Sequence, residues 1–246
     1  MMILRIAAVS DRGLAREINE DAVHAGDTLI AVADGMGGLP AGEVASEIAI
    51  RSLATVEKEW ADASPRPVEA LRAAIEQANR QIGEVVDANP SLAGMGTTVT
   101  AMLLSGDRIA LMHVGDSRAY LFRDGALTQI TKDDTFVQSL VDKGAITAEE
   151  ARRHPQRSLV TQAVQGGELS PVYTELKPRA GDRYLLCTDG LTDFVDDAAI
   201  SEVLGPYPDP RECAERLIEL ALRAGGPDNI SAIVADTVVA PLAAQR

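Results

Sequence analysis

Four aspartates carry the chemical interest of this chain. Asp34 closes the apolar run TLIAVAD, Asp116 closes RIALMHVGD, Asp189 closes RYLLCTD, and Asp228 stands in GGPDNI just before the last apolar run. Each lies at the rim of an apolar segment and beside or close to a glycine. One such acid is an ordinary turn residue, because aspartate is common at strand ends for local reasons. Four in like contexts point to strand ends that converge. A cluster of this kind repels itself: two like charges at ~4 Å cost about 4 kcal/mol at an effective dielectric of about 20. It must therefore take up protons or bind cations. Ligation by oxygen alone suits Mg²⁺ or Mn²⁺. Zinc prefers imidazole and thiolate, and the three histidines, His24, His113 and His154, are scattered. No EF-hand loop marks a calcium site.

The stretch TLIAVADGMGGLPAG, residues 28 to 42, leaves two readings open. Gly35, Gly37 and Gly38 could cradle a phosphate-bearing nucleotide, or they could let the backbone crowd in on a cation held by Asp34. A dinucleotide fingerprint needs a third glycine where Pro40 stands, and Asp34 would face the pyrophosphate. Neither G-x-x-x-x-G-K-[ST] nor G-x-S-x-G occurs. Asp193 and Glu219 stand six residues after Cys187 and Cys213, where a cysteine-nucleophile phosphatase would carry arginine.

The elements that must position these acids follow from periodicity. ILRIAAV and TLIAVA read as strands, with the polar stretch SDRGLAREINEDAVHAGD between them. Val44, Ala45, Ile48, Ala49, Leu53 and Val56 recur at helical spacing, and Pro67 opens a second helix with Val68, Leu71, Ile75, Ala78, Ile82 and Val85 on one face. From Thr97 short β-rich runs follow, and Asp124-Gly125 between RAYLF and ALTQIT predicts a hairpin, hence antiparallel strands. Residues 132 to 170 predict two small helices, the second opened by a Thr147–Glu150 capping box, inserted either as a mobile flap or as an ordinary surface excursion. DRYLLCTDG resumes the β pattern, AAISEVL and CAERLIELALRAGG predict helices, and NISAIVADTVV predicts the final strand.

The chain has 246 residues, 46% of them hydrophobic, enough for one large domain with a sizeable core. A formal net charge of −14 and a pI near 4.6 exclude nucleic acid and anionic membrane as natural partners, since both are polyanions. Two cysteines without close spacing fit a reducing compartment. No apolar run reaches the ~18 residues of a membrane span, so a soluble cytoplasmic protein is expected.

The ordered segments SDRGLAREINED, VADGMGGLPAGE, GMGTT, HVGDSRAYL, LCTDGLTD and GPDNIS resemble the metal-dependent serine/threonine protein phosphatases of the PPM or PP2C type, in their compact bacterial form. The resemblance runs from about Ser10 to Asp236 and implies an α+β fold: a four-layer α-β-β-α sandwich of two antiparallel sheets flanked by helices, with a small helical flap. It implies one PP2C-like domain over residues 1 to 246, the flap inserted at about 132 to 170.

For the site, it implies that Asp34 bridges two Mn²⁺ or Mg²⁺ ions, with the Gly35 carbonyl on one and Asp189 and Asp228 completing the other. Glu20 and Asp21 would act mainly through metal-bound water. Asp116, with Asp189 and Asp193, would form a third, weaker site, Arg16 would clamp the substrate phosphate, and Asn229 would support the whole. The implied reaction is attack of a metal-bound hydroxide on phosphoserine or phosphothreonine in proteins, by a monomer opposing a bacterial Ser/Thr kinase. Two departures stand out: Met36 replaces a histidine proposed to protonate the leaving group in eukaryotic relatives, and Asp134 replaces a histidine at the flap base. His113 reads as a packed core residue. The second reading is a catalytically silent phosphoprotein-binding module, against which the intact acid set argues.

Overall fold

Strands buried on both faces read as long apolar runs, and this chain has several because its two sheets are covered on both sides. The computed structural model describes residues 1–37, 41–60 and 66–240. Gly38 and Pro40 of the glycine turn lie outside the described residues. One sheet orders its strands β1 (Met2–Asp11), β11 (Ile230–Val239), β10 (Arg183–Cys187), β7 (Arg118–Arg123) and β8 (Ala126–Gln129). The other orders β2 (Asp21–Ala25), β3 (Leu29–Met36), β5 (Val99–Ser105), β6 (Arg108–Val114) and β9 (Val172–Leu176), with the short β4 (Gly96–Thr97) added to β3. All pairings between these named strands are antiparallel.

Side chains alternate across each strand, so every central strand serves two cores. Ile30, Val32, Met102, Leu104, Ile109, Leu111, Tyr184, Leu186, Ile233 and Ala235 pack between the sheets. Leu29, Ala31, Ala33, Val99, Ala101 and Leu103 turn outward onto helices α1 (Gly42–Trp60) and α2 (Pro67–Ala88), where the predicted stripe residues Ala45, Ala49, Leu53, Leu71, Ile75, Ala78 and Ile82 meet them. Leu185, Cys187, Ala232 and Val234 face the opposite helical layer, α6 (Asp197–Leu204) and α7 (Pro210–Arg223). The result is the predicted four-layer sandwich.

The Asp124-Gly125 turn has positive φ at both residues, 53° and 80°, as the hairpin requires. Two small helices, α3 (Phe136–Asp142) and α4 (Ala148–Arg152), form the flap, and Thr147 with Glu150 closes the predicted capping box. The base of the flap is pinned: Asp134 N–H donates to the Gly115 carbonyl at 2.7 Å, and Thr97 exchanges backbone hydrogen bonds with Val164 at 3.0 and 2.9 Å.

Two strands differ from the sequence reading. The polar stretch after Ser10 contains β2, and PVYTELK contains β9; both are edge strands, with side chains largely half-buried, so neither shows an apolar run. No described helix is long and apolar enough to cross a membrane.

Candidate active site

The strand ends do converge. Arg16, Glu20, Asp34, Gly35, Asp116, Asp189 and Asp228 line one cavity of about 350 Å³, together with Met36, Gly37, Thr98, Ser158 and Val160. Each acid arrives on a different element. Asp34 stands near the end of β3, Asp116 just beyond β6, Asp189 at the first residue of the short helix α5 (Asp189–Thr192), and Asp228 in the turn before β11.

Asp34 is held by its backbone. Its carbonyl accepts from Thr98 N–H and Thr97 Oγ1, both at 2.9 Å, and its N–H donates to Thr98 Oγ1 at 3.2 Å. Thr98 Oγ1 in turn contacts Ser117 Oγ at 2.8 Å. The carboxylate therefore projects from a fixed frame.

The glycine after Asp34 is there for room. A Cβ on Gly35 would lie 2.2 Å from the Gly42 carbonyl oxygen and 2.6 Å from that of Glu20, because the start of α1 and the residue before β2 both crowd against it. The family resemblance implies a Gly35 carbonyl turned toward an ion; the close approach of two backbones is an additional, steric requirement.

Asp21 lies directly opposite Asp34 in the β2–β3 ladder. Like charges placed opposite one another destabilise a sheet, so this pair is not a folding device. Asp21 Oδ2 accepts from Thr188 Oγ1 at 2.8 Å and from Ser231 Oγ at 2.7 Å, while Oδ1 is buried without a partner. Burial pushes the Asp21 carboxyl up to about 7 against those two hydrogen bonds, with help from Asp189. Burial and then Asp193 push Asp189 up to about 6. Burial and then Asp189 hold both Asp34 and Asp116 well above the usual carboxylate range, and Glu20 is raised chiefly by burial. Asp189 is the foremost like charge acting on buried Asp34, and a proton or a cation shared by the pair relieves the repulsion.

Arg16 is the basic residue of the cavity. Its Nη2 donates to Asp228 Oδ2 at 2.8 Å, which raises its pKa further, and its side chain is 48% exposed, leaving N–H groups free to face a ligand. Asn229 ties this loop down: Nδ2 donates to the carbonyls of Arg12 and Ile18, both at 2.9 Å, and Oδ1 accepts from Glu20 N–H at 2.9 Å. Glu20 Oε1 accepts from Gly42 N–H at 3.2 Å.

Asp193 stands apart. It accepts from Arg157 Nε at 3.2 Å and lines, with Asp116 and Asp189, an adjoining cavity of about 230 Å³ beneath the flap helices. His113 is core, its ring nitrogens meeting Thr100 Oγ1 at 2.9 Å and the Lys132 carbonyl at 3.0 Å. Asp134 at the flap base accepts from Gly115 N–H at 3.0 Å, so it braces the loop that carries Asp116.

Among the described residues, no three acidic, histidine or cysteine side chains close into a ready-made ligand group. The acids ring the cavity instead, and their chemistry fits hard divalent cations: the lining donors are oxygens, Asp21 has an orphaned buried oxygen, and the charge is uncompensated but for Arg16. Sequence reasoning assigned nothing to Thr97, Thr98, Ser117, Thr188 and Ser231, which hold Asp34 and Asp21. All five stand inside the segments GMGTT, HVGDSRAYL, LCTDGLTD and GPDNIS, as small hydroxyl residues whose pairing with the acids depends on the fold.

A family model described as protein phosphatase 2C matches residues 15–220. The serine/threonine protein phosphatase PstP of Mycobacterium tuberculosis is 56% identical over 237 residues, which cover 96% of this chain and 46% of that protein. The chain thus spans about half the length of that relative. The serine/threonine phosphatase stp of Listeria monocytogenes is 35% identical over 92% of this chain and 93% of its own length. Among solved structures, the PstP catalytic domain in complex with two manganese ions superimposes with a TM-score of 0.92 at 53% identity, over 97% of this chain and 100% of that one.

Proposed function

This chain belongs to the protein phosphatase 2C family, and from that premise we propose that it hydrolyses phosphoserine and phosphothreonine esters on proteins. One observation carries the reading: a single exposed guanidinium, Arg16, shares a cavity with five carboxylates and the Gly35 peptide, at the meeting point of both sheets. That is a place for a phosphate dianion only if cations lie between it and the acids.

Asp34, the Gly35 carbonyl, Asp189 and Asp228, with Glu20 alongside, would hold two Mn²⁺ or Mg²⁺ ions; Asp116, Asp189 and Asp193 would hold a third, weaker one in competition with Arg157. When bound, such ions supply Lewis acidity toward the attacking water and the phosphoryl oxygens. The chain's own residues do the rest. Arg16, oriented by Asp228, grips two phosphate oxygens and fixes the phosphorus against the acid rim. Thr97 and Thr98 keep Asp34 from swinging away, and Asn229 holds Arg16 and Glu20 on one rigid loop. Met36 has no proton to give, so the leaving alkoxide takes its proton from water.

Residues 1 to 246 would act as one catalytic domain with the flap at about 132 to 170, as a monomer, on phosphoproteins made by a Ser/Thr kinase, in the cytoplasm. The test is phosphate release from a phosphothreonine peptide. Release by the wild type that needs Mn²⁺ and is lost in Asp189→Asn supports the reading; binding of the peptide without release, in both proteins, would instead make the chain a phosphoprotein-binding module.

A further inference from the structure

Six large hydrophobic side chains are exposed among the described residues, and three of them lie on segments that border the catalytic cavity: Leu14 at 70%, Ile18 at 42% and Leu159 at 49%. Leu14 and Ile18 stand two residues to either side of Arg16, on its loop. Leu159 lies between Ser158 and Val160, which line the same cavity.

Isolated exposed hydrophobics are ordinary. These are different because their backbones are fixed in segments that border the cavity. Leu14 N–H donates to the Gly226 carbonyl at 2.7 Å, the Ile18 carbonyl accepts from Asn229 at 2.9 Å, and Arg12 Nη1 donates to the Glu17 carbonyl at 3.2 Å. Leu159 is held from both sides, donating to the Gln156 carbonyl at 3.2 Å and accepting from Phe136 N–H at 2.9 Å. A loop this ordered, in a chain of net charge −14, has polar alternatives for such positions; apolar ones held toward water at a ligand's entrance are placed for contact.

We propose that Leu14, Ile18 and Leu159 form an apolar rim that receives the side chains two residues before and after the phosphorylated one, so that the chain selects phosphosites with apolar residues there over those with polar or acidic ones. The proposal rests on the phosphatase reading and specifies its substrate class. An extended peptide advances ~3.3 Å per residue with alternate side chains on one face, so with its phosphate on Arg16 the residues two before and two after turn toward the loop two positions either side. An acidic neighbour would meet Glu17, Glu20 and Asp228 there, with Arg16 already engaged by Asp228 and Arg12 by the Glu17 carbonyl. An apolar neighbour covers exposed leucine and isoleucine and meets no opposing charge.

The test compares phosphothreonine peptides identical except at the residues two before and two after the phosphothreonine, which are leucine, serine or glutamate, at saturating Mn²⁺, with a small aryl phosphate as a substrate that has no flanks. The expected order of kcat/KM is leucine over serine by about tenfold, carried in KM, with glutamate lowest. In the double variant Leu14→Ser, Ile18→Ser the leucine-to-serine ratio falls to near one, whereas Leu14→Met, Ile18→Val keeps it. Hydrolysis of the aryl phosphate with all peptides equal, or a ratio unchanged in the serine variant, overturns the rim and leaves the phosphatase reading standing. Failure to hydrolyse any of these substrates defeats the phosphatase reading and the rim with it. Self-association of the wild type that the serine variant loses would make the rim a contact between copies and also overturn the proposal.

Discussion

The two ends of strands β10 and β11 treat carboxylates in opposite ways. At one end Arg183 and Asp236 face each other across the ladder, joined at 2.6 and 2.9 Å, and the guanidinium also donates to the carbonyls of Leu204 and Pro208. Beside them Arg123 grips Asp182 with two bonds of 2.6 Å. At the other end Asp189 and Asp228 meet Asp34 and Asp116, and only Arg16 answers them. The fold clearly can supply an arginine for a rim acid. Where it withholds one, the like charge costs stability, which on the proposed function is given up for holding an ion and a phosphate.

The sharpest way to break this contrast is to remove charge from the uncompensated end. Asp34→Asn should lower Mn²⁺-dependent turnover by at least roughly 10³-fold, while the metal-free variant gains about 1 kcal/mol by relief of like-charge repulsion. Phosphate release and urea unfolding in chelator read the two effects. A variant both inactive and less stable would mean that Asp34 holds the fold together and would erase the distinction between the ends. The converse cut, Asp236→Ala, should cost about 3 kcal/mol by stranding the buried Arg183. Its kcat, measured well below its unfolding temperature, should stay near wild type.

The contrast was only half legible in the sequence. Asp34, Asp116, Asp189 and Asp228 could be read because each interrupts an apolar run, and the runs are long because both sheet faces are covered. β2 could not be read, since an edge strand of five half-exposed residues leaves no periodic pattern, and with it went the placement of Asp21 opposite Asp34. The Arg183–Asp236 pair was equally hidden: the two are 53 residues apart, and only the register of β10 against β11 brings them together. Local chemistry survives in one dimension, but partners across a ladder depend on register, which no short segment specifies.

Arg16 sharpens the comparison because it is the half-exposed exception. Unlike Arg183 it has N–H groups to spare, so Arg16→Ala should raise KM for phosphopeptides about tenfold, a discounted value for a charged hydrogen bond at an exposed site. Stability should hardly move. A variant that loses stability and keeps KM would place Arg16 with the structural arginines.

The smallest effect belongs to acid pH at the compensated end. Burial alone would raise the Asp182 carboxyl, but the hydrogen bonds from Arg123 and from the Arg179 N–H outweigh it, and its pKa is lowered. A depressed folded pKa means that the unfolded chain binds the proton more readily. The stabilisation is therefore fully present above the ordinary aspartate value of about 3.9 and drains away as pH falls through the lower folded value. Asp182→Asn keeps the shape and removes this titration, so its unfolding free energy should fall below wild type at neutral pH and the gap should narrow as the solution is acidified below about pH 4. Urea midpoints taken from pH 6 down to pH 3 would show it; a gap that stays constant across that range would mean the Arg123 contact stabilises through packing rather than charge, and the two ends would then differ less in electrostatics than in shape.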